Sequence, residues 1–261
     1  MPAALTSDLE QAKTDLDEHG YCLVEGALSP DRLDAVRTRL VEQAAAEIAD
    51  GTDYVYDRHG ANQRVWNLLN KGEVFEELAQ DRLALRLIGH LLGPDFLLSN
   101  IDANIAGPGG MPMFLHGDES FVPPPWPPYA LVANVMWMLD ESTPENGATR
   151  IVPDSHRLGH GPDYSQPMPE TVPVCGPPGT AMVFDGRLWH QTGANVTAGE
   201  RRHGILAYYC RPFMRQQENY FVSLEPEVLE RATPALRHML GWDIYLSLGM
   251  IDGMPREGPR Y

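Results

Sequence analysis

His116 and Asp118 stand two residues apart at the end of an apolar run, in MFLHGDES (113–120). In an extended strand, residues i and i+2 project from the same face, so the imidazole and the carboxylate would point together. Such a pair can hold a metal ion, share a proton or cap a turn, and a metal needs a further ligand from another strand. The stretch DGRLWHQTGANVTAGERR (185–202) offers one in its single histidine, His190. Two histidines and one carboxylate can occupy one face of an octahedral Fe(II) ion, leaving three positions for a bidentate cosubstrate and O2. Glu119 is the rival acid. Its strand parity is opposite to that of His116, which favours Asp118.

Iron centres of this type commonly use 2-oxoglutarate, whose distal carboxylate calls for a cation. Arginine offers a fixed, always-charged fork that matches a carboxylate. Arg201 lies eleven residues after His190. The intervening GANVTAG reads as a hairpin turn that brings the chain back on the neighbouring strand, with Arg201 level with the metal. Thr192 shares the face of His190, and its hydroxyl can reach the same carboxylate. Arg202, by the same parity, would point away.

These residues need strands to carry them. The chain has 261 residues, 43% of them apolar, enough for one large domain with a real core. Ser7-Asp8-Leu9-Glu10 reads as a capping box opening a helix to about residue 18, stopped by Gly20. A short strand follows at 21–24. Ser29 then caps a helix with Pro30 in its first turn and Leu33, Val36, Leu40 and Ala44 on one face. Residues 73–92 carry further helical periodicity. After Pro94 short strand candidates dominate (96–105, 113–116, 129–139, 148–152, 180–184 and 204–209), separated by Gly/Pro-rich turns such as GPGG, PPPWPP and GPPG. That pattern predicts a sandwich or barrel. Helical spacing returns at 226–241. The expected organisation is one domain over 1–261: a helical part to about 93, a β core to about 212, and a helical C-terminal segment.

The order His-x-Asp, His-x-Thr, then Arg resembles the phytanoyl-CoA dioxygenase-like Fe(II)/2-oxoglutarate oxygenases. ENGATRIVPDSHR (145–157), GYCLVEGALSPDRLDAVR (20–37) and LRHMLGWD (236–243) are also similar to segments of that family, with Asp154 replacing its usual glycine. The resemblance implies a mainly β fold with flanking helices around a double-stranded β-helix, a cupin-like jelly roll. It implies iron on His116, Asp118 and His190, and 2-oxoglutarate on Arg201 and Thr192. Polar residues on nearby strands touch the cosubstrate in some relatives, which brings in Asn100, Asn104 and Asn134; alternation alone leaves open which face is inward. The implied reaction consumes O2, converts 2-oxoglutarate to succinate and CO2, and hydroxylates an unactivated C–H of a small metabolite. Asp118 argues against halogenation, since related halogenases lack the carboxylate. Desaturation, cyclisation, epimerisation or endoperoxide formation share the same chemistry, and a non-catalytic metal- or ligand-binding jelly roll is the reading from another class. Arg201 argues against that last one.

Composition narrows the partners. A net charge of −16 without a basic cluster disfavours nucleic acid and anionic membranes. Arg58, Arg64 and Lys71 are the cations that could meet the phosphates of coenzyme A, and they form no obvious site, so a free small molecule is expected. The N-terminus has no signal-peptide pattern, and Cys22, Cys175 and Cys210 suggest buried reduced thiols, hence a cytoplasmic monomer or homodimer. Residues 54–66 are the expected substrate-covering loop. Met111, Met113, Met136 and Met138 are read as core. The 121–129 proline cluster packs on the barrel or walls the pocket, and His156 makes a fold-stabilising hydrogen bond.

Overall fold

The computed structural model describes residues 3–57, 61–250 and 253. Its first third runs β1 (Leu5–Thr6), α1 (Leu9–His19), β2 (Tyr21–Val24), α2 (Pro30–Asp50), β3 (Tyr54–Val55), β4 (Gln63–Val65), α3 (Glu73–Ala79) and α4 (Arg82–Leu92). Asp8, not Ser7, is the cap of α1: its carboxylate accepts from the amide of Glu10 at 2.8 Å. Gly20 ends the helix at φ 77°, the left-handed conformation that glycine adopts without penalty. Ser29 caps α2 as expected. The helical stretch 73–92 is two helices, because the Asp81 carboxylate accepts from the amides of Leu83 and Ala84 and starts a new one.

The strands that follow are β5 (Leu97–Ala106), β6 (Val132–Met138), β7 (Thr149–Ile151), β8 (Val172–Pro173), β9 (Ala181–Asp185), β10 (His190–Thr192) and β11 (Arg202–Cys210). They form two sheets. The large one has the order β1-β2-β9-β6-β11-β5-β4-β3, and the small one β10-β7-β8. The expected strand at 113–116 is irregular except at its end. There His116 and His190 exchange both backbone hydrogen bonds, adding one antiparallel bridge to the edge of the small sheet. Two facing sheets, antiparallel in every pair except β1–β2, with helices on the outside make the double-stranded β-helix, a jelly roll.

Strand alternation divides the large sheet into two chemically distinct faces. Odd-numbered residues of β5, β6, β9 and β11, among them Ile101, Val135, Trp137, Val183, Ile205 and Tyr209, join one apolar core with Leu16, Leu40, Phe75, Leu87 and Ile88 from the helices. Even-numbered residues face the small sheet. Met182 and Phe184 fill one end of that interior, while the other end is polar and open. The C-terminal segment forms α5 (Tyr220–Ser223), α6 (Pro226–Arg231) and α7 (Pro234–Met239), broken where Thr233 caps a new helix at Pro234. Val228, Leu236, Met239 and Leu240 complete the helix-side core. Cys22 and Cys210 are buried, but Cys175 is exposed. No helix among the described residues is long and apolar enough to cross a membrane.

The core predicts its own test. Leu87 is fully buried between α4 and the large sheet, whereas Arg86 beside it is exposed. Leu87→Ala is expected to lower the unfolding free energy in chemical denaturation by about 2–5 kcal/mol, and Arg86→Ala by less than about 0.5 kcal/mol.

Candidate metal centre and its cavity

The cavity between the two sheets holds His116, Asp118 and His190 together, with one ligand atom from each lying within 4.8 Å of the others. Asp118 lies between the histidines, its Oδ1 3.6 Å from His116 Nε2 and its Oδ2 3.6 Å from His190 Nε2. The imidazole rings are 4.4 Å apart. Each histidine is oriented through its other nitrogen: Nδ1 of His116 meets the carbonyl of Phe114 at 3.0 Å and Nδ1 of His190 that of Leu188 at 2.9 Å. A carbonyl can only accept, so both Nδ1 atoms carry a proton, and both Nε2 atoms face Asp118. Burial pushes the His190 pKa down despite the attraction of Asp118, which keeps the ring neutral and able to coordinate. Two imidazole nitrogens and a carboxylate converging on one point suit a divalent transition metal.

Several neighbours hold this geometry. Asn134 donates to Asp118 Oδ2 at 2.6 Å, and the Tyr208 hydroxyl donates to the Asp118 carbonyl at 2.9 Å. Gly117 is needed for close approach rather than for a special turn, since a Cβ there would lie 2.9 Å from the Trp126 ring. That contact places the proline cluster: Trp126 packs beneath the ligand turn, and the cluster does not line the cavity. Glu119 is no ligand, yet it is not idle. Fully buried, it accepts from the amides of Leu131 and Val132 and braces the turn, while burial pushes its pKa up to about 7.

Arg201 requires a correction. It is exposed and lies outside the cavity, whereas Arg202 is buried and lines it. The expectation treated 193–199 as a hairpin between paired strands. In fact β10 belongs to the small sheet and β11 to the large one, so this segment crosses between sheets and the parity counted from His190 does not carry over. Arg202 pairs with Ala106 of β5 and shares the inward face of Leu206 and Tyr208. Asn195 fixes the crossing by donating to the carbonyls of Ala106 and Glu200.

Arg202 is 2% exposed, and its Nε has no hydrogen-bond partner among the described residues. Burial lowers its pKa, though an arginine remains charged. The acid whose field reaches it, Asp140, is already bound to Arg37 and His203. A buried cation without a partner carries a desolvation cost of several kcal/mol, and an anionic ligand would offset it.

The remaining expected residues all line the cavity. Asn104 donates to the Thr192 hydroxyl at 2.7 Å and accepts from Tyr56 at 2.6 Å, while Asn100 donates to Gln217 at 2.6 Å. Arg64, within the stretch 54–66 expected to cover the substrate, lines the cavity, and so do Asp102 and Tyr208, which were not expected there. For Asp102 and Tyr208 a signal existed, because they follow from the even parity of β5 and β11 once Asn104 and Arg202 are known to face inward. Met136 and Met138 are core as expected, although Met136 also touches the cavity; Met113 lines the cavity half-buried, and Met111 is exposed. His156 is buried with both ring nitrogens unpartnered, so the expected hydrogen bond is absent.

Comparison with known proteins follows the same lines. The sequence profile described as Phytanoyl-CoA dioxygenase (PhyH) matches residues 16–204. Dioxygenase af480 of Aspergillus fumigatus is 37% identical over 241 residues, covering 90% of this chain and 78% of that protein. Among solved structures, the epimerase SnoN in complex with Fe3+, alpha ketoglutarate and nogalamycin RO is similar with a TM-score of 0.63 and 21% identity, covering 84% of this chain and 90% of that one. HygX from Streptomyces hygroscopicus, with nickel, 2-oxoglutarate and hygromycin B bound, gives a TM-score of 0.65 at 16% identity, covering 79% and 88%.

Asn134 is the test of how the triad is supported. His116→Ala is expected to abolish Co(II) binding, and Asn134→Ala to weaken it about 10- to 100-fold, read by the visible spectrum during titration.

Proposed function

The chain belongs to the phytanoyl-CoA dioxygenase family, and on that premise we propose that it is an Fe(II)- and 2-oxoglutarate-dependent oxygenase that hydroxylates an unactivated C–H of a small metabolite. The observation that carries this reading is Arg202, a buried and unpaired cation in the same cavity as the His116–Asp118–His190 triad. A sensor that only held a metal would have no use for it.

In this reading the triad holds the iron, and Arg202 and Thr192 receive the distal carboxylate of 2-oxoglutarate. With both bound, they supply the oxidising power, consuming O2 and releasing succinate and CO2 as the substrate C–H is oxidised. The chain orients and selects. Asn104 donates to the Thr192 oxygen, and the Thr192 proton otherwise meets only the Met113 sulfur at 3.5 Å, a weak acceptor. The hydroxyl is therefore free to donate to a carboxylate. Tyr56 fixes the Asn104 amide that does this. Asp118 fills the position a halide would need, which favours hydroxyl transfer over halogenation. Epimerisation and cyclisation begin from the same hydrogen abstraction, and the pose of the substrate separates them from hydroxylation.

A free metabolite suits the cavity better than a coenzyme A thioester. Arg64 is paired with Asp102 at 3.1 Å, and Lys71 is bound to Glu47. Arg58 lies outside the described residues. The net charge of −16 also opposes a polyanionic substrate.

Mixing the protein anaerobically with Fe(II) and 2-oxoglutarate is expected to give the weak visible charge-transfer band of the chelate. Arg202→Met should raise the 2-oxoglutarate Kd by roughly 30- to 1,000-fold, since it removes one partner of a buried charge pair. Arg201→Ala should leave it within about threefold, as expected of an exposed charge. A folded protein without the band would contradict the proposal.

A further inference from the structure

The metal cavity is small. Its free volume is about 200 Å³, below the range typical of drug-sized ligands. It adjoins a second concavity of about 590 Å³, and Arg64, Trp66 and Met113 line both. If a diacid occupies the inner chamber, anything larger has to lie in the outer one.

The outer groove has an unusual surface. Tyr54, Trp66, Met111 and Phe114 line it and are 50%, 44%, 49% and 64% exposed. They come from two facing segments, β3–β4 and the irregular stretch before the ligand turn. Tyr54 and Trp66 meet edge to face with ring centroids 5.7 Å apart. Phe114 lies 5.0 Å from the ring of His116, so the groove runs up to a metal ligand. Large apolar side chains gathered in a concavity beside a reactive centre mark a ligand surface, because exposing them to water has no benefit to folding.

Charge on the groove is already neutralised. Arg64 is the sole cation among the described residues that line it. Its guanidinium binds Asp102 and lies 5.3 Å from the Trp66 ring centroid and 5.6 Å from that of Tyr56. Asp57, the one acid there, accepts from the amides of Ala61 and Met111 through its two oxygens. Both groups therefore already have partners within the protein.

Building on the oxygenase reading above, we propose that this groove is the substrate site and that it takes an uncharged, predominantly hydrocarbon skeleton of fused or branched rings. Aromatic walls on two sides match the faces of such a molecule. Met113 lines both chambers and Phe114 lies against His116, so one edge of a molecule bound here is next to the metal cavity.

Binding can be measured without metal, cosubstrate or turnover. Quenching of intrinsic fluorescence by a series of neutral fused-ring compounds (androstenedione, progesterone and sclareol) is compared with quenching by palmitoyl-CoA and by a carboxylated steroid, cholate. At least one neutral member is expected to bind with a Kd below about 100 µM, changing less than about twofold between low and high salt. Phe114→Ala and, read by equilibrium dialysis, Trp66→Ala should each weaken it about tenfold. Both side chains are exposed, so truncation leaves the core intact. Tighter binding of palmitoyl-CoA or cholate, no binding by any neutral member, or unchanged affinity in both variants would each overturn the proposal. The wild-type charge-transfer band, recorded on the same preparation, separates the two claims. A band without neutral-ligand binding sinks the groove proposal alone, and binding without a band sinks the cosubstrate reading alone.

Discussion

A guanidinium buried without a carboxylate is the constraint on which the rest of the structure turns. Arg202 is buried where it lines the cavity, and the described groups around it leave its Nε unpartnered. A chain does not hold a charge in such a place for stability, since replacing a buried ion by an apolar side chain is often neutral or favourable. The charge is intelligible as half of a pair whose other half arrives with a ligand. The cavity then has two poles: a cation at the end of β11, and a donor set of two imidazoles and a carboxylate that suits a metal. A keto-diacid has one end for each.

The fold delivers these poles from independent directions. His116 and His190 are locked to one another by a backbone bridge at the edge of the small sheet. Arg202 sits on the large sheet, at the first position of β11, in register with Ala106. What joins them is the crossing segment held by Asn195 to the end of β5. Separating the poles onto two sheets gives the cavity a fixed depth, set by sheet packing rather than by a mobile loop. The helices take no direct part. Their leucines cover the odd-numbered face of the large sheet, which frees its even-numbered face for polar work.

Much of this was legible in the sequence, and the exceptions have one cause. His116, Asp118, His190 and Thr192 could be found because local spacing determines which side chains share a face. The jelly roll followed from many short strands with Gly/Pro punctuation. The choice of Arg201 over Arg202 failed because parity holds only along one strand or between paired strands, and β10 and β11 are not paired. The same long-range ignorance left open which residues of the expected covering loop 54–66 reach the cavity, because the place of Arg64 depends on β4 pairing with β5 forty residues later. Ser7 gave way to Asp8 at the first helix because either residue type can cap, and only the backbone decides between them.

The central claim is that Arg202 recognises the distal carboxylate of 2-oxoglutarate. Comparing 2-oxoglutarate with 2-oxopentanoate, which keeps the chelating keto acid and replaces that carboxylate by a methyl group, isolates the interaction. Kd values are measured anaerobically on the Fe(II)-loaded native protein and on Arg202→Met. The native protein is expected to prefer 2-oxoglutarate by roughly 100-fold or more, with the preference falling to near unity in Arg202→Met. A preference that survives the substitution would show that the carboxylate is bound elsewhere and contradict the account.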